Sequence, residues 1–143
     1  MAILEVNNLN VTFNTQHGNV RAVQNLSFKL DEGETLGLVG ESGSGKSVSN
    51  LALMGLLPTP SAIVKADSLL FQGEDLLQMK PKAIRKIRGH HMSMIFQDPM
   101  TSLNPYLTVG LQLSEVLEVH LKLGRRAAMK KCAEALGEVG IPE

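Results

Sequence analysis

Apolar and polar positions alternate over the first thirty residues, a pattern typical of antiparallel strands. Leu4 and Val6 are expected on one face of a first strand that ends near Phe13. A loop over residues 14–19 then leads to a second strand from Val20 to Leu30. The chain is therefore predicted to begin with a short antiparallel sheet.

Three later segments also have the length and composition of strands. Glu34 to Val39 and Met92 to Phe96 are nearly continuous apolar runs, which predicts two buried strands. Ala66 to Gln72 is predicted to be a further strand, turned by Gly73.

The remaining apolar positions follow helical spacing. Val48 to Met54 and Pro81 to Arg88 are predicted to be short helices between the strands. After Pro99 only helical periodicity remains, and it predicts two longer helices, from Val109 to Leu121 and from Ala128 to Val139. The pattern as a whole predicts an α/β chain that changes into a helical tail.

Composition indicates an ordinary globular protein, with 43% hydrophobic and 20% charged residues among 143. No apolar run is long enough to span a bilayer, and the N-terminus has no pattern of a signal peptide. Cys132 is the only cysteine, so an intrachain disulfide is excluded, which fits a reducing compartment.

The net charge is zero, but its distribution is uneven. Residues 1–79 contain 4 Lys/Arg and 8 Asp/Glu, whereas residues 80–143 contain 10 and 6. Five bases fall within nine residues: Lys80, Lys82, Arg85, Lys86 and Arg88. Because few aromatic residues accompany them, a solvated helix face is favoured over a nucleic-acid site.

The strongest chemical signal is a complete phosphate-binding P-loop of the form G-x-x-x-x-G-K-[ST]. It consists of Gly40, Glu41, Ser42, Gly43, Ser44, Gly45, Lys46 and Ser47. Small side chains let the backbone curl around a phosphate chain and turn its N–H groups inward. The helix that follows adds about half a positive charge at its N-terminus.

Within this motif two side chains have separate expected roles. Lys46 would reach the outer phosphates of a nucleotide, and the hydroxyl of Ser47 would be a ligand of Mg²⁺. A P-loop alone leaves kinases, GTPases, helicases and transport ATPases open.

A second motif narrows that choice. The stretch from Met94 to Pro105 reads Met-Ile-Phe-Gln-Asp-Pro-Met-Thr-Ser-Leu-Asn-Pro. It closely resembles the Q-loop of ABC transporter ATPases, and specifically that of the oligopeptide and dipeptide importer subfamily. The same subfamily is resembled in three other places: the N-terminal strands, the residues of the P-loop, and the dipeptide Arg88-Gly89 before the Q-loop segment. The resemblance therefore covers essentially the whole chain.

The resemblance implies a fold and its division. The fold would be an α/β P-loop NTPase core of ABC type, with an N-terminal antiparallel β subdomain and the start of a helical subdomain, truncated. Residues 1–143 would be the N-terminal part of one ABC ATPase domain. The β subdomain would cover residues 1–33, the P-loop core with the Q-loop residues 34–99, and the start of the helical subdomain residues 100–143.

The resemblance also implies cofactors and site residues, namely ATP and Mg²⁺. Gln97 would act beside Lys46 in catalysis and as a metal ligand, because a neutral amide presents an oxygen to Mg²⁺ or to water without adding charge. Phe13 is the candidate for stacking on the adenine ring, although a place in the core of the sheet remains open for it.

The implied partners are integral membrane transporter subunits and a second ATPase subunit, identical or homologous, and no nucleic acid is expected. Met100, Leu103, Pro105 and Tyr106 would line or support the docking groove for the membrane subunit. The protein would then lie at the cytoplasmic face of the bacterial inner membrane, energising the import of peptides.

Three alternatives stay open. The ATPase could serve an importer of nickel or of a glutathione-like molecule, since related importers share these motifs. It could be a soluble ABC ATPase acting on DNA or ribosomes, or a non-catalytic remnant that only binds partners.

Several catalytic parts of the family are not found in these 143 residues. They are the Leu-Ser-Gly-Gly-Gln signature, a Walker B strand of four apolar residues followed by Asp-Glu, and the switch histidine. We therefore expect the chain to be the N-terminal part of a longer ATPase. Alone it should bind nucleotide weakly, if at all, turn over negligibly, and expose a sheet edge and apolar surface.

Overall fold

The computed structural model describes residues 2–98 and 102–141. They form nine elements in chain order: β1 (Ala2–Thr15), β2 (Gly18–Asp31), α1 (Lys46–Leu53), β3 (Ala62–Lys65), β4 (Ser68–Phe71), β5 (Glu74–Asp75), α2 (Pro81–Ile87), α3 (Val109–His120) and α4 (Arg125–Glu138). The chain divides into two compact units, one up to Ile84 and one from Arg85 onward. In the described part of the chain, every helix is too short or too polar to cross a membrane.

The first unit is built on one antiparallel sheet in the order β2-β1-β4-β5, with β3 also paired to β1. The two N-terminal strands were predicted and are confirmed. The turn between them is tighter than the predicted loop, because the ladder continues to the pair Thr15 and Gly18. The strand predicted from Ala66 to Gln72 is confirmed in a shorter form as β4, and β3 was not predicted.

The core of the sheet depends on a bulge at Asn8. Leu4 and Val6 are buried at even positions of β1, whereas Leu9 and Val11 are buried at odd positions. A regular strand cannot bury both sets on one face, because its side chains alternate. Asn8 has a φ of +52° and lies where the pairing with β2 shifts between Val6 and Leu9, so this irregularity changes the phase of the strand.

Polar contacts fix the bulge from both sides. The backbone N–H of Asn8 donates to Ser27 Oγ (2.8 Å), and its Nδ2 donates to Asp67 Oδ2 (3.1 Å). Asn10 Nδ2 donates to the carbonyl oxygen of Asn8 (2.7 Å). The left-handed backbone of Asn8 is thus held by hydrogen bonds to β2 and to the segment before β4.

Two predicted strands are wrong. Glu34 to Val39 and Met92 to Phe96 are irregular, apart from one bridge between Arg88 and Met92. Val39 is 92% exposed and Ile95 is 97% exposed, so neither run is buried. A strand needs a neighbour for its backbone groups, and neither run pairs into a ladder within the described residues. The sequence predicts an exposed sheet edge and exposed apolar surface. Exposed apolar side chains are observed in these two runs, which are coil and not the edge of a sheet.

All four predicted helices are observed, with shifted ends. α1 begins at Lys46, inside the P-loop motif, and ends at Leu53, before Pro58. In the second unit α3 and α4 pack closely at Gly110, where an added Cβ would lie 2.6 Å from Met129 Cε. Cys132 is buried on α4, as its apolar helical position predicted.

Candidate functional site

The P-loop backbone adopts a curled form at its glycines. Gly43 has a φ of +83° and Gly45 a φ of +92°, a region that other residues enter only with strain. Gly40 allows a close approach instead, because a Cβ there would lie 2.6 Å from Ser44 Oγ, and the serine side chain would have to shift. The glycines of the motif are therefore used for backbone geometry and for close approach.

Lys46 closes the loop on itself. Its Nζ donates to the carbonyl oxygens of Gly40 (2.6 Å) and Glu41 (2.7 Å) and to Ser44 Oγ (3.2 Å). The ammonium group is thus held at the mouth of the loop by neutral oxygens. A phosphate oxygen is a stronger acceptor than a carbonyl oxygen, so an incoming phosphate could replace these neutral partners.

The loop is seated on the antiparallel sheet through Gly45. A Cβ added there would collide with the carbonyl oxygen of Ala22 and would lie 3.1 Å from Val23 Cγ2, both on β2. Ser49 fixes the same point from the helix, since its buried Oγ donates to the carbonyl oxygen of Gly45 (2.9 Å). Loop, strand and helix therefore meet at one backbone position.

The N-terminus of α1 is open toward the loop. Gly45 is the N-cap residue and provides no side-chain hydrogen bond, so the first-turn N–H groups are not capped by a side chain. Ser47 is exposed in this first turn, and its hydroxyl makes no hydrogen bond within residues 2–98 and 102–141. Free N–H groups, helix dipole and Lys46 together make this end of α1 fit for an anion.

A cleft of about 390 Å³ adjoins the loop. It is lined by the P-loop with Lys46 and Ser49, by Leu38 and Val39 before the loop, and by four residues of β2: Ala22, Val23, Gln24 and Leu26. The loop end of this cleft fits a nucleotide's phosphate chain, because Lys46 is the one charged side chain among the described lining residues and none of them is a carboxylate.

Phe13 lies away from this cleft lining. It is half-buried in β1, paired to Val20 of β2 and Ala62 of β3. Its role in adenine stacking stays a prediction, as does its alternative role in the sheet core.

Gln97 belongs to the second compact unit and is exposed in a bend. The strand that was predicted to end at Phe96, just before Gln97, is not formed. The roles of Gln97 in catalysis and metal binding stay predictions. Of the predicted docking residues, Met100 lies outside the described residues, whereas Leu103 (49%) and Tyr106 (93%) are exposed and Pro105 is exposed as well.

No cluster of three or more His, Cys, Asp or Glu is arranged to hold a metal ion within residues 2–98 and 102–141.

Sequence reasoning missed three contributors to the site: Ala22, Val23 and Ser49. The β2 residues supply a backbone oxygen and a methyl group, and neither has a signature in the sequence. Ser49 has a weak signal, because a small polar residue occupies an otherwise apolar helix face four positions after Gly45.

Comparisons with known proteins identify the family of this chain. The family model described as ABC transporter matches residues 23–143. The chain is 49% identical over 140 residues to the oligopeptide transport ATP-binding protein OppD of Bacillus subtilis, covering 98% of this chain and 39% of that protein. It is 52% identical over 141 residues to the dipeptide transport ATP-binding protein DppD of the same organism, with 99% and 42% covered.

A third relative is the dipeptide transport ATP-binding protein DppD of Haemophilus influenzae, 48% identical over 143 residues, with 100% of this chain and 43% of that protein covered. The chain thus spans about two fifths of the length of the curated relatives it matches. Because the family model covers most of the chain and includes the whole P-loop, the chain belongs to the ABC transporter family.

Proposed function

We propose that this chain is the nucleotide-binding part of an ATPase subunit that energises import of di- or oligopeptides across the bacterial inner membrane. The observation that carries the proposal is the P-loop, with Lys46 held at its mouth and the uncapped N-terminus of α1 behind it. The names of the relatives, which are peptide transport ATP-binding proteins, supply the substrate class.

The residues of the loop would hold ATP with Mg²⁺. Gly40 to Gly45 would surround the phosphates with backbone N–H groups, and Lys46 would exchange its carbonyl acceptors for phosphate oxygens. Ser47, whose hydroxyl is free among the described residues, would be a ligand of Mg²⁺ together with Gln97. The ion would offset the negative charge of the phosphates.

The division into a β subdomain (1–33), a P-loop core (34–99) and the start of a helical subdomain (100–143) is part of the proposal. So is the weak catalysis of this chain alone, since hydrolysis needs a carboxylate near Mg²⁺ and a second subunit's signature motif. The site would be completed in a dimer of longer ATPase subunits bound to integral membrane subunits, at the cytoplasmic face.

Co-purification tests the transport part of the proposal. The chain, tagged and expressed with the membrane subunits of its own transporter, should be recovered with that integral membrane pair from detergent extract and not with nucleic acid. A Lys46→Ala variant is a matched control, because docking should not need the phosphate contacts. Recovery with nucleic acid and without membrane subunits would contradict the proposal in favour of a soluble ABC ATPase.

A further inference from the structure

The hairpin of β1 and β2 contains a second bulge, which lies in β2. The pair Leu9 and Leu26 is followed by the pair Val11 and Val23, so β1 advances by two residues while β2 advances by three. The extra residue of β2 is thus opposite Asn10. This second bulge cancels the shift in register that the bulge in β1 introduces.

Asn25 forms the β2 bulge in the left-handed conformation. Its φ is +51°, and its backbone N–H donates to Oδ1 of Asn10 (3.1 Å). The Nδ2 of the same Asn10 side chain donates to the carbonyl oxygen of Asn8 (2.7 Å). One part-buried amide group therefore holds both bulges, each of them at a left-handed asparagine.

The β2 bulge changes which positions of the strand are turned inward. Leu26, Phe28 and Leu30 are half-buried at even positions, whereas Val23 is buried at an odd position. Because side chains alternate along a regular strand, these residues could not share one face without the extra residue. The bulge therefore sets the orientation of the strand segment just before it.

That segment is the seat of the phosphate loop. Ala22 and Val23 lie just before Asn25, and a Cβ added to Gly45 would collide with the carbonyl oxygen of Ala22 and lie 3.1 Å from Val23 Cγ2. Strand and loop are therefore in direct contact, and a displacement of this segment must move Gly45. Gly45 immediately precedes Lys46, so the displacement would reach the ammonium group at the mouth of the loop.

We propose that Asn25, held by Asn10, is a positioning residue of the phosphate loop. Its left-handed bulge fixes the height at which Ala22 and Val23 support Gly45. This inference rests on the proposed function, and it gives a role to two asparagines that lie outside both the loop motif and the described cleft lining. A loop whose shape is fixed before binding loses little conformational freedom when a phosphate binds, so more of the contact energy appears as affinity.

The bulge in β1 provides a contrast within the same hairpin. Asn8 has nearly the same backbone conformation, with a φ of +52°, but its side chain is bonded to Asp67 ahead of β4. The residues before it, Val6 and Asn7, pair with β4. A loss at Asn8 therefore reports on the stability of the sheet, whereas a further loss at Asn25 reports on the seat of the loop.

The test compares the parent with Asn25→Val, Asn25→Gly and Asn10→Ala, and with Asn8→Val as the matched control. Valine is strained at a positive φ, whereas glycine adopts it freely. Asn10→Ala removes the acceptor of the Asn25 N–H, and it carries the test if Asn25→Val does not fold. Titration calorimetry measures the affinity for ATP with Mg²⁺, and urea unfolding measures stability. Hydrogen exchange is followed at the amide of Ser49, which donates to the carbonyl oxygen of Gly45 (2.8 Å).

We expect Asn25→Val to weaken nucleotide binding about tenfold, because the variant must re-form a strained bulge in order to bind. Exchange of the Ser49 amide should accelerate by roughly the same factor. Asn10→Ala should weaken binding about threefold. Asn25→Gly should match the parent. Asn8→Val should lose as much stability as Asn25→Val and still bind nucleotide within about twofold of the parent.

Three results would overturn the inference. Parental affinity and parental Ser49 exchange in Asn25→Val, or in Asn10→Ala if the valine variant does not fold, would show that the bulge does not set the loop. Equal losses in Asn25→Gly and Asn25→Val would assign the effect to the asparagine side chain and not to the backbone. Equal losses of affinity in Asn8→Val and Asn25→Val would reduce the bulge to a general contribution to stability.

The exchange measurement separates this inference from the proposed function. If the folded parent binds no nucleotide, the proposed function fails. Faster Ser49 exchange in Asn25→Val than in Asn8→Val would then still support the positioning role, and equal exchange in the two variants would overturn it.

Discussion

Gly45 lies directly against the carbonyl oxygen of Ala22, with no room for a Cβ between them. The phosphate loop therefore rests on β2 of the antiparallel sheet rather than standing free. Its shape is tied to the strand that lines the cleft beside it. Any change that moves β2 should consequently alter the shape of the phosphate loop.

Alanine at Gly45 should be more disruptive than alanine at Gly43. Both glycines have a positive φ, but the space around Gly43 is open. Gly43→Ala should lower the free energy of unfolding by about 1–2 kcal/mol through backbone strain, and Gly45→Ala by about a further 1–3 kcal/mol through the collision with β2. Urea unfolding of the two variants measures the difference. Equal losses would contradict the seating of the loop on Ala22.

The bulge at Asn8 predicts that this strand position tolerates glycine but not a β-branched residue. Asn8→Gly should change the free energy of unfolding little, because glycine adopts a positive φ freely and the lost bond to Asp67 is exposed. Asn10 Nδ2 also loses Asn8 Oδ1 as an acceptor, but it keeps its bond to the backbone carbonyl oxygen of residue 8. Asn8→Val should cost about 1–3 kcal/mol, because a β-branched residue is strained there. Thermal or urea unfolding of the two variants and the parent measures these differences in stability. A valine variant as stable as the parent would mean that β1 runs without the phase change.

The apolar segment before the P-loop should contribute little to the free energy of unfolding of this chain. Val39→Ala should alter the free energy of unfolding by less than about 0.5 kcal/mol, as for other exposed positions. The comparison is Leu9→Ala, fully buried in β1, which should cost about 2–5 kcal/mol. A loss above about 1 kcal/mol at Val39 would contradict the exposed coil and restore the buried strand that the sequence pattern indicates.

The sequence predicted those parts of the fold that depend on local pattern. The β1–β2 hairpin follows from alternation, and the helices α1, α3 and α4 follow from helical spacing. The cap of α3, where Thr108 Oγ1 accepts from the N–H of Leu111, was not predicted. The P-loop could be recognised because its chemistry requires a fixed order of small residues, lysine and serine.

What the sequence could not predict depends on pairing between distant segments. Val39 and Ile95 lie in runs with the composition of buried strands, yet burial needs a neighbouring strand, and neither run pairs into a ladder in the part that the structure describes. The contact of Gly45 with Ala22 is equally hidden, because a backbone oxygen carries no residue signature. The hydrogen bonds from Gln112 to the carbonyl oxygens of Asn104 and Leu107 are hidden in the same way, because they join a helix to a turn that the pattern does not define.

The most direct test of the central claim is calorimetric titration of this chain with ATP and Mg²⁺, beside its Lys46→Ala form. The alanine form loses the ammonium group that Gly40 and Glu41 hold at the mouth of the loop. We predict weak but saturable binding by the parent and none by Lys46→Ala, with both variants folded by circular dichroism. Equal binding by the two forms, or none by the folded parent, would contradict a working phosphate site at this loop.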